Sequence, residues 1–373
     1  MNILFISDLL SYGGASKLLY DLIPLFVSKD HKCKLFILKE DNNSKYLNEL
    51  RAKNITIDVL PSSVKSHFGI IKYLINYINS NSFDIIHANL FPVIYYVAIV
   101  KRLMKKTCPP ILMTEHSTDN RRRHIFFLKP LERFIYDSYS HVISISKPTQ
   151  DLLQKWIGCQ KYSERFSVIE NGIDINRFLM AKAYSKVSIY PDYKKGDILI
   201  GMVGRFTSAK NHTKMLEALS LLPIKYKLIL VGEGELESFV KAKTKELGIV
   251  SRVFFLGFRK DIPEIMKTID LLCIPSKWEG FGLIAVEAAV CKTPIVCSEV
   301  PGLSEIVDNC ALKFNPNSSK EIANSILKLE NIDLKNELVD KNYERVSRFD
   351  INKVADNYLN LFEKLLNNKV EIK

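Results

Sequence analysis

Two carboxylates stand eight residues apart in Glu279-Gly280-Phe281-Gly282-Leu283-Ile284-Ala285-Val286-Glu287. Gly280 and Gly282 mark an exposed loop, and residues 283–290 read as a helix. With Glu279 in the loop and Glu287 one to two turns into the helix, both can face one cleft. Carboxylates there accept hydrogen bonds from sugar hydroxyls, while amides at the helix start serve phosphate oxygens. Either glutamate alone would be an ordinary surface charge. The pair, set between glycines after Ile274-Pro275-Ser276, points to a binding site.

Upstream, Ile200-Gly201-Met202-Val203-Gly204-Arg205 reads as a strand that delivers Gly204 and Arg205 to its carboxyl end. Lys210 follows five residues later, where the next helix begins. Arginine can fork onto two oxygens and lysine acts as a point charge, so this loop suits a diphosphate. In Val231-Gly232-Glu233-Gly234 the small residues leave room for a flat ligand near the backbone. Ser7-Asp8 ends the first strand, and Gly13-Gly14 precedes a helix. Adjacent glycines admit a ligand to the amides, and the helix start favours an anion. Each of these turns, taken alone, is also compatible with plain loop structure. No G-x-G-x-x-G follows the first strand and no G-x-x-x-x-G-K-[ST] occurs, which weighs against a dehydrogenase and a P-loop enzyme.

Short apolar runs alternate with longer amphipathic stretches, the pattern of parallel βαβ units. Strands are expected at 2–7, 34–38, 55–60, 85–87, 111–114 and 141–146, then at 198–203, 226–231, 253–258, 271–274, 295–298 and 311–314. Two such series predict an α/β chain of two doubly wound parallel sheets, and 373 residues suit two domains. The expected division is 1–185 and 186–350, with a linker within 180–196 and a terminal helix, 351–373, packing back across the junction. Ligands of such sheets bind beyond the carboxyl ends of the strands, so the site is expected in the cleft where the two sheets face.

These motifs together resemble the retaining glycosyltransferases of family 4, which have the GT-B fold of two Rossmann-like domains. Glu279 and Glu287 match the family's E-x7-E pattern, Gly13-Gly14 its N-terminal glycine loop, and Glu170-Asn171-Gly172-Ile173-Asp174 its interdomain stretch. Gly204-Arg205 with Lys210, the Gly232 turn, Gly257–Pro263 and Pro301–Glu305 also correspond in order. The resemblance implies a nucleotide-sugar donor on the C-terminal domain and an acceptor on the N-terminal one. It implies that Arg205 and Lys210 hold the diphosphate and that Glu287 binds the ribose. Glu279 and the amides of Phe281, Gly282 and Leu283 would hold donor sugar and phosphate, with Gly14, Gly204 and Gly232 lining the donor. His116, after the fifth strand, matches a histidine that approaches the transferred sugar; Glu115 is its neighbour. Transfer is expected to need no metal, because no Asp-x-Asp occurs and the cation pair can serve the diphosphate. No cofactor is expected. UDP-sugars are the expected donors, with GDP open, and a glycan or lipid-diphosphate acceptor of bacterial surface polysaccharide synthesis is the expected context. A nucleotide-sugar epimerase of the same fold is the alternative.

Residues 1–190 carry 26 Lys/Arg against 16 Asp/Glu, and residues 191–373 carry 27 against 25. The surplus base of the first half calls for an anionic partner: nucleic acid, anionic lipid or a phosphorylated substrate. Arg121, Arg122 and Arg123 precede Ile125-Phe126-Phe127-Leu128, base beside apolar surface, and are assigned with Gly13 to an acceptor or a membrane face. No nucleic-acid motif is present, which disfavours a nucleic-acid binder. The longest apolar run, residues 90–100, is too short to cross a bilayer. No secretion signal is apparent, so a cytoplasmic location, with peripheral contact at the inner membrane face, is expected. Seven cysteines without C-x-x-C pairs argue against a disulfide scaffold or a zinc ribbon.

Overall fold

A computed structural model describes residues 1–10, 13–40, 44–119, 121–158 and 163–370. The first sheet has seven strands: β1 Asn2–Ser7, β2 Lys32–Ile37, β3 Thr56–Val59, β4 Ile85–Asn89, β5 Ile111–Glu115, β6 His141–Ser144 and β7 Phe166–Val168. The second has six: β8 Ile198–Val203, β9 Tyr226–Val231, β10 Val253–Gly257, β11 Leu271–Ile274, β12 Ile295–Ser298 and β13 Leu312–Phe314. Every pairing is parallel. Parallel strands are covered on both faces, so they read as continuous apolar runs. In β1, Leu4 and Ile6 enter one core, while Ile3 and Phe5 enter the other. β7 escaped the sequence reading because three residues, Phe-Ser-Val, are too few to show a period.

The strand orders are β3-β2-β1-β4-β5-β6-β7 and β10-β9-β8-β11-β12-β13. Each sheet therefore reverses direction of winding beside its first strand, at β1/β4 and at β8/β11. A crevice opens at such a point, beyond the carboxyl ends of the strands.

The chain divides at Gly172/Ile173 rather than near 185: one unit is Met1–Gly172 with Ile351–Lys373, the other Ile173–Asp350. The polar stretch 180–196, expected to be a linker, is built into the second unit. Ile189 and Tyr190 are buried in its core, Lys186 Nζ lies 2.6 Å from both Asp270 oxygens, and Lys267 holds the carbonyls of Leu179 and Ala181. The helix before it, Ile175–Met180, and the one within it, Lys186–Ile189, are too short for an amphipathic pattern to show.

The terminal helix, Ile351–Val370, is a core element of the first unit. Val354, Ala355, Tyr358 and Phe362 are buried among residues of β1, β2 and the helix Gly14–Ser28. Tyr358 OH lies 3.2 Å from Thr114 Oγ1 on β5. This late segment thus braces the strand that presents His116. Among the described residues no helix is long and apolar enough to cross a membrane.

Candidate active site

At the β8/β11 reversal, two loops leave adjacent strand ends. Lys210 lies on the first, in the turn Ser208–Lys210, and Glu279 on the second. Lys210 Nζ is 2.5 Å from Glu279 Oε1, and Ser276 Oγ donates to the same oxygen at 2.7 Å. Their side chains are 25% and 12% exposed, so the pair is screened less than a surface bridge. The loops are also tied by backbone: Lys277 N donates to Ala209 O at 2.8 Å. Buried Asn211, in a left-handed conformation, donates through Nδ2 to the carbonyls of Pro275 (3.0 Å) and Pro316 (2.7 Å). Ser276 and Asn211 were missed by sequence reasoning, because neither belongs to a motif until the loops meet.

Gly232 and Gly282 are required by geometry. Gly232 has φ +132°, and a Cβ there would lie 2.2 Å from Gly204 O, so the turns after β8 and β9 can touch only without a side chain. Gly282, φ +88°, starts the helix Leu283–Val290, and a Cβ would sit 2.7 Å from Leu303 Cδ1. No side chain caps this helix, and its first turn has no acid, so its start is suited to an anion. The Phe281 side chain is buried against Phe349, which leaves its amide as its contribution to a ligand. Along the helix only Leu283, Ile284 and Glu287 are partly exposed; Leu283 and Glu287, four residues apart, share one stripe.

Arg205 pairs with a different acid from Lys210. Its side chain is 68% exposed, with Nη2 3.8 Å from Glu235 Oε2. Glu235 is a third residue that the sequence did not single out. His212, beside Lys210, stacks on Phe206 at 4.2 Å and is pushed down to about 4, first by burial and then by the Lys210 charge.

In the first unit, β1, β4 and β5 end side by side. Gly13 precedes the helix Gly14–Ser28 in extended backbone; it and Gly14 are exposed, and no side chain caps that helix. Among the described residues nothing lies within 4 Å of a Cβ built on Gly13. His116 Nε2 sits 3.5 Å from Asn89 Oδ1, and its buried Nδ1 has no hydrogen-bond partner among the described residues. Burial pushes His116 down to about 4, so the ring is neutral at neutral pH. Asn89 is another residue found only by the sheet order.

Glu115 points inward: Oε2 accepts from Tyr136 OH at 2.6 Å, and Oε1 accepts from Ser117 N at 3.3 Å. The outward role expected for the arginines fails for Arg122 and Arg123. Arg123 is 9% exposed, lies 3.8 Å from Glu115 Oε2, and donates to Thr118 O (2.6 Å) and Ser117 O (3.4 Å). Arg122 is 17% exposed, with Nε 3.7 Å from Glu132 Oε1, and lies over the rings of Phe91 and Tyr95. Buried carboxylates at Glu115 and Glu132 draw both guanidinium groups in. The side chain of Arg121 lies outside the described residues. Among the described residues, no group of three or more His, Cys, Asp or Glu could hold a metal.

Two family models match the chain: "Glycosyl transferases group 1" over residues 191–346, and "Glycosyltransferase Family 4" over residues 12–177. An uncharacterized glycosyltransferase of Methanocaldococcus jannaschii is 29% identical over 340 residues, covering 84% of this chain and 86% of that one. The N,N'-diacetylbacillosaminyl-diphospho-undecaprenol alpha-1,3-N-acetylgalactosaminyltransferase of Campylobacter jejuni is 24% identical over 96% of this chain and 98% of its own length. Among solved structures, Anabaena HepE in complex with UDP superposes with a TM-score of 0.83 at 23% identity, over 98% of this chain and 100% of that one.

Proposed function

The chain is a GT-B glycosyltransferase of group 1, family 4-like, and we propose that it moves a sugar, with retention, from a UDP-linked donor to a lipid-diphosphate-linked glycan. The observation that carries this reading is the Lys210–Glu279 pair beside the uncapped helix start at Gly282. The UDP complex of HepE and the diphospho-undecaprenol substrate named for the Campylobacter relative support the choice of donor and acceptor. The activity belongs to glycan synthesis, and surface polysaccharide is the proposed product.

Breaking the anomeric bond places negative charge on the leaving diphosphate and positive charge on the sugar. Lys210 and Arg205 stabilise the first, together with the amides of Phe281, Gly282 and Leu283. Glu287 takes the ribose hydroxyls. Glu279 holds Lys210 Nζ at 2.5 Å and accepts from Ser276, so it positions the cation and the donor sugar instead of forming a bond to it. The acceptor hydroxyl attacks from the leaving-group side, and the phosphate takes its proton. Neutral His116 is the proposed partner of the transferred sugar. The cations do the work a divalent metal would do on the diphosphate, so the transfer needs none.

A donor screen by nucleotide release, with a panel of lipid-diphosphate acceptors, tests this. Release from a UDP-sugar, dependent on such an acceptor and unaffected by EDTA, is the expected result. Loss of activity in EDTA restored by Mn²⁺, or a sugar trapped covalently on Glu279, would refute the mechanism. Conversion of the free UDP-sugar to its epimer without transfer would establish the alternative.

A further inference from the structure

The face of the first sheet that packs on the helix Ile351–Val370 changes character as its strands approach their carboxyl ends. Alternate residues of a strand share one face. On β4 these are Ile85, His87 and Asn89, and on β5 they are Leu112, Thr114 and then His116. Ile85 and Leu112 lie in the apolar core that this helix closes. One step higher, His87 Nε2 lies 2.8 Å from Thr114 Oγ1, which lies 3.2 Å from Tyr358 OH on the helix. At the top, His116 Nε2 faces Asn89 Oδ1 at 3.5 Å. A buried polar rung therefore stands beneath the one that carries His116.

Stability gives little reason for that rung. His87, Thr114 and Tyr358 are at most 2% exposed, and His87 Nδ1 has no hydrogen-bond partner among the described residues. Burying such groups costs more than burying an apolar set of the same shape. The His87 ring packs against Phe5, Tyr358 and Phe362 at 5.5, 5.7 and 5.9 Å, so the space would suit an apolar side chain. Burial, and then the His116 charge, push His87 down to about 3, so the rung is neutral at neutral pH. What a buried polar network supplies is one fixed arrangement of its members.

Two links carry that arrangement upward. Thr114 lies two residues before His116 and is paired in register with Asn89. Asn89 Nδ2 donates to His87 O at 3.3 Å, which turns Asn89 Oδ1 toward His116 Nε2. An acceptor at that place puts the ring proton on Nε2 and leaves Nδ1 as a lone pair. We propose that His87, Thr114 and Tyr358 are positioning residues that hold Asn89 and His116 in this orientation and so fix the His116 tautomer for transfer. Being buried, they act through His116, and the proposal rests on the reading of that histidine as the partner of the transferred sugar. It gives the last helix of the chain a part in turnover besides closing the core.

Tyr358→Phe tests this, because it removes one hydroxyl and keeps the ring against His87 and Phe362. Its kcat should fall by roughly 10-fold with the donor KM unchanged. On a His116→Ala background it should bring no further loss, since the two act as one unit. Tyr139→Phe deletes another buried hydroxyl, bonded to Ile94 O at 2.7 Å in the core on the other face of the sheet, and should leave kcat unchanged. ¹⁵N-histidine spectra of the full chain without substrate should show His116 protonated on Nε2, and a mixture of tautomers in Tyr358→Phe. If Tyr358→Phe does not fold, Thr114→Val reads the same link. An unchanged kcat or an unchanged His116 tautomer in the variant, additive losses with His116→Ala, or an equal loss in Tyr139→Phe would each overturn the proposal. Full turnover by His116→Ala would instead refute the role given to His116 under the proposed function, while the spectra, which need no substrate, would still decide whether Tyr358 orients that ring.

Discussion

Lys210 Nζ lies 2.5 Å from Glu279 Oε1 across 69 residues of chain. The contact exists because β8 and β11 are neighbours in the sheet although β9 and β10 come between them in sequence. Under the proposed role of Lys210, the cation that would serve the diphosphate is thereby fixed before any ligand arrives, which is the preorganisation electrostatic catalysis depends on.

This pairing predicts strong coupling. Lys210→Ala and Glu279→Ala should each lower kcat/KM by roughly 10² to 10³. The double variant should be little worse than the poorer single, because the two residues act as one unit. Fully additive losses in steady-state kinetics would show that they act separately.

Arg205 separates function from stability. Its side chain is 68% exposed and its partner Glu235 is 59% exposed, so their ion pair contributes little to folding. Arg205→Ala should leave the unfolding midpoint in place while lowering turnover by roughly 10²-fold. Glu235→Ala should change neither much. A fall in the Arg205→Ala midpoint comparable to a core substitution would contradict this.

Arg123 should behave as a positioning residue. Its guanidinium spans Glu115 and the carbonyls of Ser117 and Thr118, immediately beyond His116. Arg123→Ala strands a buried carboxylate, at a cost of about 3 kcal/mol. Arg123→Lys should restore part of the melting temperature but not kcat, since a lysine cannot fork onto three acceptors. Full recovery of both by lysine would reduce Arg123 to a neutralising charge.

Stability should fall on acidification. Burial holds His116, His141 and His212 at about 4 and His87 at about 3, all below the ordinary 6.5. Below pH 6.5 the unfolded chain therefore binds more protons than the folded one. The stability held above 6.5 drains away as pH falls towards 4. Glu132, raised to about 7 by burial, acts in the opposite sense between 4.5 and 7 and offsets part of the slope. Thermal melts from pH 7 to 4.5 should show a falling midpoint, and His212→Phe, which keeps the stack on Phe206, should fall less steeply. An identical slope in that variant would remove His212 from the account.

The sequence by itself determined the two parallel sheets, because strands buried on both faces must be apolar throughout and Gly-marked turns punctuate them. It also set the candidate site residues at strand ends, since Arg205, Lys210, Glu279 and Glu287 follow strands in motif order. Tertiary structure decided which of these groups meet. Sheet order, which no local pattern encodes, joined Lys210 to Glu279 and left Arg205 with Glu235. It set the unit boundary at Gly172/Ile173, where short helices had hidden the packing of residues 180–196. It also turned Arg122 and Arg123 inward, because buried Glu132 and Glu115 come from other elements of the fold. A charged run reads alike whether it faces solvent or a buried carboxylate, and only the partner's position in space distinguishes the two.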